Sequence, residues 1–467
     1  MDSTRQATME DALTTYLEEA RPRQLAELQA WLRIPSISTL AGHKADVKQA
    51  ATWLMAQMRQ AGLEHVELIE TETQPMVYAD WLHAGPDQPT VLIYGHFDVQ
   101  PVDPLHLWAT PPFEPTVRGE NLYARGASDD KGQTFLHVKA VEALLQTRGG
   151  LPVNVKFLVE GEEESGSRAI RQYVPAHAAK LAADAALISD SHILAPDQPA
   201  VLYGLRGMWT AEVTVTTADH DLHSGSYGGA IHNANQALAE LLAQLHDAQG
   251  RITVPGFYDE VRVLSAEERG RLARLPYGEA EILAESGAPA VYGEPEYSVV
   301  ERTGARPTLE INGMWGGFIG EGFKTVIPCQ AHAKISCRLV PYQDPARIGE
   351  LVTRHLQRLA PPTVKVEVTG TRGSHAFLTP YDTPAIQAAA RAYALVFGKE
   401  PVYTLEGGGI PVVNVLQEAL NLPVVLMGFG LPDDNLHAPN EKFYLPNFYR
   451  GIRTSIAFLE EMAGTDT

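Results

Sequence analysis

The chain has 467 residues, of which 45% are hydrophobic, so it is too long for one ordinary core and we expect two folded domains. Acidic residues outnumber basic ones by 57 to 37, the net charge is −20, and no cluster of five or more lysines and arginines occurs. This charge balance excludes nucleic acid and anionic membranes as expected partners.

The N-terminus and the cysteines predict a soluble, cytoplasmic protein. The first 24 residues include acidic side chains and no apolar core of signal-peptide length, and no later run of 18 apolar residues occurs. The two cysteines, Cys329 and Cys337, lie in one segment and cannot supply a disulfide framework or a thiolate metal cage. We expect both to fill strands or the core.

The first part of the chain predicts two helices followed by alternating strands and helices. Leucines recur at helical spacing between residues 13 and 32, and a second helix over 47–62 ends at a glycine. Strands are predicted over 90–95, 153–159 and 183–189, and an amphipathic helix over 131–150. This βαβ order predicts an α/β fold with a mostly parallel sheet sandwiched by helices.

The pattern changes after Gly204. An alternating strand over 208–218, a helix over 234–245, a charged irregular tract over 258–301, strands over 331–340 and 363–370 and a helix from about 345 predict an inserted α+β two-layer domain. From about residue 378 the first pattern returns, with a helix over 384–396, a strand over 423–430 and a last helix to Met462. We therefore place one domain at 1–205 and 377–467, and the inserted domain at 206–376.

Imidazole and carboxylate side chains follow the predicted strands. They occur in the segments GHFDVQP, GASDDKG, EGEEESGS, LISD and LHAPNE, as His96, Asp98, Asp129, Asp130, Glu163, Glu164, Asp190 and His437. In open α/β sheets, ligands collect outside the carboxyl ends of the strands. Each motif alone is weak, since Ser-Asp can be a helix N-cap and a glutamate run is usually solvated, but together they predict a site for divalent transition metals.

These five segments, in this order, resemble the signature blocks of the M20 family of binuclear metallopeptidases, especially its cytosolic dipeptidase branch. The resemblance implies a catalytic domain with two divalent metal ions, zinc or manganese with cobalt as a third candidate. It implies that Asp129 bridges the metals, that His96 and Asp190 complete one site, and that Glu164 and His437 complete the other. It also implies that the Asp129–Asp130 peptide bond is cis.

The same resemblance implies that Glu163 is the general base and that Asp98 supports His96. In an extended segment, the carboxylate of Asp98 falls on the same side as the imidazole of His96 and can accept its N–H. Four glutamates within Glu160–Glu164 repel each other unless they face water, protons or cations. A metal bound by Glu164 would offset this repulsion and leave Glu163 free for proton transfer.

The inserted domain resembles the lid and dimerisation domain of the family. His223, in DLHSGSYGG, resembles the histidine that enters the partner subunit's active site, and Thr325 and Arg338 resemble residues that hold the substrate carboxylate. The alternative is that Arg338 forms a salt bridge and His223 has no role. Gly408 and Gly409, in EGGGIP, precede a helix whose N–H groups can bind an anion. The family branch has serine at Gly409, so one hydroxyl donor is missing.

The sequence thus predicts a homodimeric hydrolase that cleaves dipeptides or short peptides by a metal-bound hydroxide with Glu163 as general base. An alternative is an N-acyl amino acid deacylase similar to acetylornithine deacetylase and desuccinylase. A remote alternative is a catalytically dead binding protein. The presence of Glu163 and of all five candidate ligands argues against that possibility.

Overall fold

The computed structural model describes residues 3–464. The chain divides into two compact units: the first comprises the chain up to Tyr203, Thr379–Tyr403 and the chain from Pro411, and the second comprises Gly204–Leu378 and Thr404–Ile410. Within the described residues, no helix is both long enough and apolar enough to cross a membrane.

The helices and strands occur in three runs. The first run is α1 Ser3–Leu32, α2 Lys44–Ala61, β1 Glu64–Ile69, β2 Met76–Trp81, β3 Thr90–His96, β4 Thr116–Arg118, β5 Asn121–Tyr123, α3 Lys131–Arg148, β6 Asn154–Glu160, α4 Arg168–Ala176, α5 Ala178–Leu181, β7 Ala185–Ile188 and β8 Ala200–Leu205. The second run is β9 Gly207–Thr216, β10 Leu222–His223, α6 Ser224–Tyr227, α7 Ala234–Ala243, α8 Ala266–Leu272, α9 Glu279–Ser286, α10 Val299–Gly304, β11 Thr308–Gly316, β12 Val326–Ile327, β13 Gln330–Leu339, α11 Pro345–Leu359, β14 Lys365–Gly370 and β15 Phe377–Leu378. The last run is α12 Pro384–Phe397, β16 Val402–Glu406, α13 Pro411–Leu420, β17 Val424–Leu426, β18 Lys442–Tyr444 and α14 Leu445–Ala463.

The sheet of the first unit has the order β1-β2-β6-β3-β7-β17-β8. Its four central strands, β6, β3, β7 and β17, run parallel, whereas β1, β2 and β8 add antiparallel edges. In the parallel register, His96 on β3 lies opposite Glu160 on β6, and Tyr94 lies opposite Ile188 on β7. The carboxyl ends of these strands therefore meet at one edge, which is where the candidate ligands follow in sequence.

Helix α3 is buried along most of its length, so the prediction that it is amphipathic is wrong. Helices α1, α2 and α14 all pack against it. Its polar side chains are accommodated by specific partners: Lys139 pairs with Glu142 at 2.6 Å, and His137 contacts the hydroxyls of Ser455 and Ser189. Such partners offset the cost of burying polar groups.

The second unit contains a four-stranded antiparallel sheet of order β11-β13-β9-β14. Alternate residues of β9 and β13 are buried, as expected for strands with one covered face, and α7 and α11 pack against this sheet. A separate core that includes Trp209, Leu238 and Val352 fills the space. This is the two-layer α+β arrangement that the sequence predicts.

The prediction of an irregular tract over 258–301 is wrong, because three short helices, α8, α9 and α10, lie there. The Ser265 hydroxyl accepts the backbone N–H of Glu268 at the start of α8. At the start of α10, the Ser298 hydroxyl accepts the Glu301 N–H, and the Glu301 carboxylate accepts the Ser298 N–H at 2.7 Å. Both starts carry the Ser-x-x-Glu signature of a capping box.

Candidate metal centre

The five candidate ligands lie at the carboxyl edge of the parallel strands. His96 is the last residue of β3, Asp190 follows β7 and Glu164 lies in a 3-10 turn directly after β6. Asp129 ends the loop before α3, and His437 lies in the loop before β18 with a left-handed φ of 59°. Short connections after buried strands thus bring side chains together that are far apart in sequence.

These ligands form two groups that share Asp129. His96, Asp129 and Asp190 make one group, and Asp129, Glu164 and His437 make the other, with the ligand atoms of each group within 4.8 Å of one another. Asp129 Oδ1 lies 3.1 Å from His96 Nε2, and its Oδ2 lies 2.9 Å from His437 Nε2. The two oxygens of one carboxylate therefore face the two groups, as a bridging ligand requires.

The electrostatics of the groups favour bound cations. Burial raises the pKa of Asp190 well above its usual range, and burial also raises the pKa of Glu164. Hydrogen bonds to Asp129 and Glu164 raise the pKa of His437 to about 10. Carboxylates this close to one another are stable as anions only beside positive charge.

The residues present fit a pair of divalent metal ions. His96 Nε2 is buried and makes no hydrogen bond of acceptable geometry within the part of the chain that the structure describes. An imidazole nitrogen in that position is available as a ligand, and imidazole with carboxylate is a donor set suited to zinc and manganese. Either ion would also supply the positive charge that the buried carboxylates need.

Glu163 precedes Glu164 in the same 3-10 turn, and the carboxylate of Asp98 holds both peptides. Asp98 Oδ1 accepts the Glu163 N–H at 3.1 Å, and its Oδ2 accepts the Glu164 N–H at 3.1 Å. Burial raises the pKa of Glu163 to about 7, which suits proton exchange near neutral pH. One buried carboxylate therefore fixes the backbone of the candidate base and of its neighbouring ligand.

Asp98 also contacts the imidazole of His96, with both its backbone carbonyl and its carboxylate. His96 Nδ1 is 3.1 Å from the backbone carbonyl oxygen of Asp98 and 3.5 Å from its carboxylate. The carbonyl is thus the nearer acceptor for the ring N–H, whereas the sequence-based expectation named the carboxylate. Either contact orients the ring with Nε2 toward Asp129.

The other two glutamates of the EGEEESGS segment have structural partners. Glu160 accepts hydrogen bonds from the Tyr94 hydroxyl at 2.6 Å and from the Ser167 hydroxyl at 2.9 Å, and burial raises its pKa to about 8. Glu162 accepts the backbone N–H of Ala169 in the first turn of α4. The four carboxylates thus face different surroundings, which reduces their mutual repulsion.

Two further side chains lie next to the ligands, of which Asp130 was named from the sequence and Gln100 was missed. Gln100 Nε2 donates to Glu164 Oε2 at 2.7 Å. Asp130 Oδ2 accepts the backbone N–H of His96 at 3.1 Å and the Thr134 hydroxyl at 2.7 Å, and the Asp129–Asp130 peptide bond is cis. Gln100 lies inside the quoted segment GHFDVQP, so its position next to His96 and Asp98 was the available signal.

In the second unit, His223 and Thr325 lie side by side. Strands β10 and β12 pair with His223 opposite Val326, and the Ser224 N–H donates to the Thr325 carbonyl at 3.1 Å. His223 is exposed, and its Nδ1 accepts the Gly225 N–H at 3.1 Å. The structure thus brings together His223, the predicted catalytic residue of the inserted domain, and Thr325, a predicted substrate-binding residue.

Arg338 lies on β13, and sequence analysis missed the arginine next to it. Arg206 Nη2 lies against Gly407, where an added Cβ would be 2.4 Å away, and a Cβ at Gly409 would be 3.3 Å from the Arg206 carbonyl oxygen. Arg206 Nε is buried without a hydrogen-bond partner among residues 3–464. Burial and the nearby charge of Arg338 lower the pKa of Arg206 to about 10. Arg206 thus places a guanidinium beside the glycine loop and near a second positive charge, an arrangement that favours a bound anion.

Comparison with known proteins shows which family and which proteins this chain resembles. The family model described as Peptidase family M20/M25/M40 matches residues 92–461. The Beta-Ala-His dipeptidase of Homo sapiens is similar, with 36% identity over 394 residues, 83% of this chain and 78% of its own. The Cys-Gly metallodipeptidase DUG1 of Candida albicans is 32% identical over 463 residues, 95% of each chain. The crystal structure of the M20 family metallo-carboxypeptidase Sso-CP2 from Sulfolobus solfataricus has a TM-score of 0.81 at 31% identity and covers 94% of this chain and 99% of its own.

Proposed function

This chain belongs to peptidase family M20/M25/M40, and we propose that it is a metal-dependent hydrolase of dipeptides and short peptides. The observation that carries the proposal is the carboxylate of Asp129 between His96 and His437, with Glu163 beside it. We propose two divalent metal ions per chain, zinc or manganese, with cobalt as a third candidate. Asp129 would contribute to both metal sites, with His96 and Asp190 completing one and Glu164 and His437 completing the other.

In this mechanism Glu163 moves the proton. The bound metals supply Lewis acidity, which polarises the peptide carbonyl and makes water more acidic. Glu163 accepts a proton from the attacking water and then donates it to the nitrogen of the leaving amine. The carboxylate of Asp98 accepts the backbone N–H of Glu163, so the backbone from which the Glu163 side chain extends is held in place.

The substrate's terminal carboxylate is the anion that we assign to Arg338, Thr325 and the loop of Gly408 and Gly409. A guanidinium binds a carboxylate through two parallel N–H groups. Arg206 supports this assignment, because its Nη2 lies beside Gly407 of the same loop and its buried Nε has no hydrogen-bond partner in the described part of the chain. Its Nη2 is a donor beside Gly407, two residues before Gly409, where the family branch has a serine hydroxyl.

We also propose that residues 206–376 form a lid that dimerises, so that His223 of the partner subunit completes each site. Strand β11 supports this, since it lies at an edge of its sheet. Ile311, Met314 and Trp315 on this strand are all more than 40% exposed. An open edge with apolar side chains is a surface that another chain can cover.

The names of the similar proteins favour peptide bonds over N-acyl amino acids as substrates. Both curated relatives above are dipeptidases by name, and the solved structure is named a carboxypeptidase. The deacylase alternative retains the same metal ligands, so only substrate preference separates the two. The cytoplasmic location stays a prediction from the sequence.

The test is to supply the purified protein with Zn²⁺ or Mn²⁺ and to measure hydrolysis of three substrate panels. The panels are dipeptides, tripeptides and N-acetyl or N-succinyl amino acids, with the Glu163→Gln variant as a control for contaminating activity. We expect dipeptides to have the highest kcat/KM. Preferential turnover of N-acyl amino acids would support the deacylase instead, and no turnover of any panel by protein with two bound metals would support the binding protein.

A further inference from the structure

The side chain of Glu441 is buried beneath the loop that carries Asp129, and both of its oxygens accept hydrogen bonds from that loop. Glu441 Oε1 accepts the backbone N–H groups of Ser128 at 3.0 Å and Asp129 at 3.1 Å. Its Oε2 accepts the backbone N–H of Gly126 at 3.0 Å. Three N–H donors therefore converge on one carboxylate, which holds the backbone of 126–129 in a single conformation.

Arg125 completes this arrangement by supplying the countercharge. Its Nη1 lies 2.7 Å from Glu441 Oε2, and its Nη2 donates to the Pro101 carbonyl at 3.1 Å. Arg125 is 1% exposed and Glu441 is fully buried. A buried carboxylate with this many charged and polar partners is strongly oriented, because every change of its rotamer would break several of these bonds.

The same segment also carries a candidate ligand, since Glu441 lies four residues after His437. The Ala124 N–H donates to the Glu441 carbonyl at 3.1 Å, and β18 then pairs with β5. This pairing joins the segment of His437 to the segment that leads into Asp129. The position of one ligand is therefore coupled to the position of the other through Glu441.

We propose that Glu441 is a positioning residue that orients Asp129 as the bridge between the two metals. The inference rests on the proposed metal centre and adds a role for a side chain that belongs to neither ligand group and whose two oxygens both accept hydrogen bonds from the loop of Asp129. Since Asp129 belongs to both ligand groups, a displaced bridge weakens both sites and changes the distance between them.

Glu441→Gln is the informative substitution. Its size is unchanged, but a glutamine has one oxygen and one NH₂ group, and both ends of Glu441 face N–H donors. In either orientation the NH₂ group opposes a donor, so the loop must move. The matched control is Glu142→Gln, which changes a buried carboxylate of α3 that contacts Tyr16, Arg23 and Lys139.

The experiment measures metal binding directly. Wild type and both variants are loaded with Mn²⁺, metal content is determined by elemental analysis, dissociation constants are determined by chelator competition, and the coupling of the two ions is read by electron paramagnetic resonance. We expect Glu441→Gln to weaken Mn²⁺ binding by roughly 10- to 100-fold and to alter the spin coupling. Glu142→Gln should stay within about threefold of wild type, by the usual locality of such effects.

The outcomes are distinct. Wild-type affinity and coupling in Glu441→Gln would overturn the inference, and so would an equal loss in Glu142→Gln. A wild type that binds no metal would instead refute the proposed metal centre. If Glu441→Gln does not fold, the double variant Arg125→Met with Glu441→Gln is measured in its place. It removes the uncompensated arginine charge but still leaves the loop N–H groups without a carboxylate. Its Mn²⁺ affinity and spin coupling then support or overturn the inference by the same criteria.

Discussion

Neighbouring glutamates with different tasks give the sharpest test of the proposed chemistry. Glu163→Gln removes a proton acceptor, whereas Glu164→Gln changes a candidate metal ligand. Asp98 holds the backbone N–H of both residues, so neither substitution removes its contact with the turn. Differences between the variants therefore report on the side chains alone.

The expected magnitudes differ in kind. A general base typically contributes 10² to 10⁴ in rate, so Glu163→Gln should lower kcat by at least about 100-fold, or roughly 3 kcal/mol, with full metal content. Glu164 Oε2 lies 3.3 Å from His437 Nε2 and accepts from Gln100 at 2.7 Å. Glu164→Gln should thus lower the metal affinity of the site that includes His437 by at least about tenfold. The site that includes His96 and Asp190 should keep its metal.

The assay combines dipeptide turnover with metal analysis of the same protein after gel filtration. The reasoning is refuted if Glu163→Gln, with two metals bound, keeps more than about a tenth of wild-type kcat, a loss too small for a general base. It is also refuted if both variants lose metal equally, because the two carboxylates would then not have separate roles.

Four further predictions follow from the site and the core. Removal of metal by a chelator should abolish turnover, and added Zn²⁺ or Mn²⁺ should restore it; activity that survives in metal-free protein contradicts the metal centre. If His223 acts in trans, mixing His223→Ala with Glu163→Gln subunits should recover roughly a quarter of wild-type activity by the arithmetic of a twofold dimer, and proven subunit exchange without recovery would place His223 outside the partner's site. Arg338→Gln should raise KM for dipeptides at least about tenfold, because a carboxylate loses a bidentate partner, while an unchanged KM would remove Arg338 from substrate binding. Burial lowers the pKa of His137 to about 3, so below about pH 6.5 the unfolded chain takes up a proton that the folded chain does not, and the free energy of unfolding falls as pH falls. This contribution is about 2 kcal/mol between pH 6.5 and 4.5 and should be absent in His137→Gln; equal pH slopes of the unfolding free energy for wild type and variant in urea would contradict it.

The sequence was sufficient to predict the family, the fold class and the candidate ligands, because histidines and carboxylates follow the predicted strands. The predictions of an M20-type hydrolase and of a mostly parallel sheet with an α+β insertion are confirmed. The five candidate ligands are brought together at the predicted edge, since parallel strands in register align their carboxyl ends. The roles of the individual site residues, His223 included, stay predictions.

The two wrong predictions of secondary structure have different origins. Helix α3 looked amphipathic because its sequence contains Lys139 and Glu142, yet these residues pair with each other inside the core. Short helices in 258–301 were missed although Ser298 and Glu301 carried a local capping signal, so there the available pattern was not used.

Local patterns in the sequence determined most helices and strands, the polar residues that follow each strand and the types of side chain that can bind a metal. They could do so because periodicity and turn chemistry act over a few residues. Tertiary structure alone decided which oxygens face which partners. Arg125 and Glu441 are separated by 316 residues, and Asp98 meets the peptide of Glu163 across 65. No local propensity encodes such pairs. They form because burial removes water from these charges, and the only remaining donors and acceptors are those that the packed chain brings within reach.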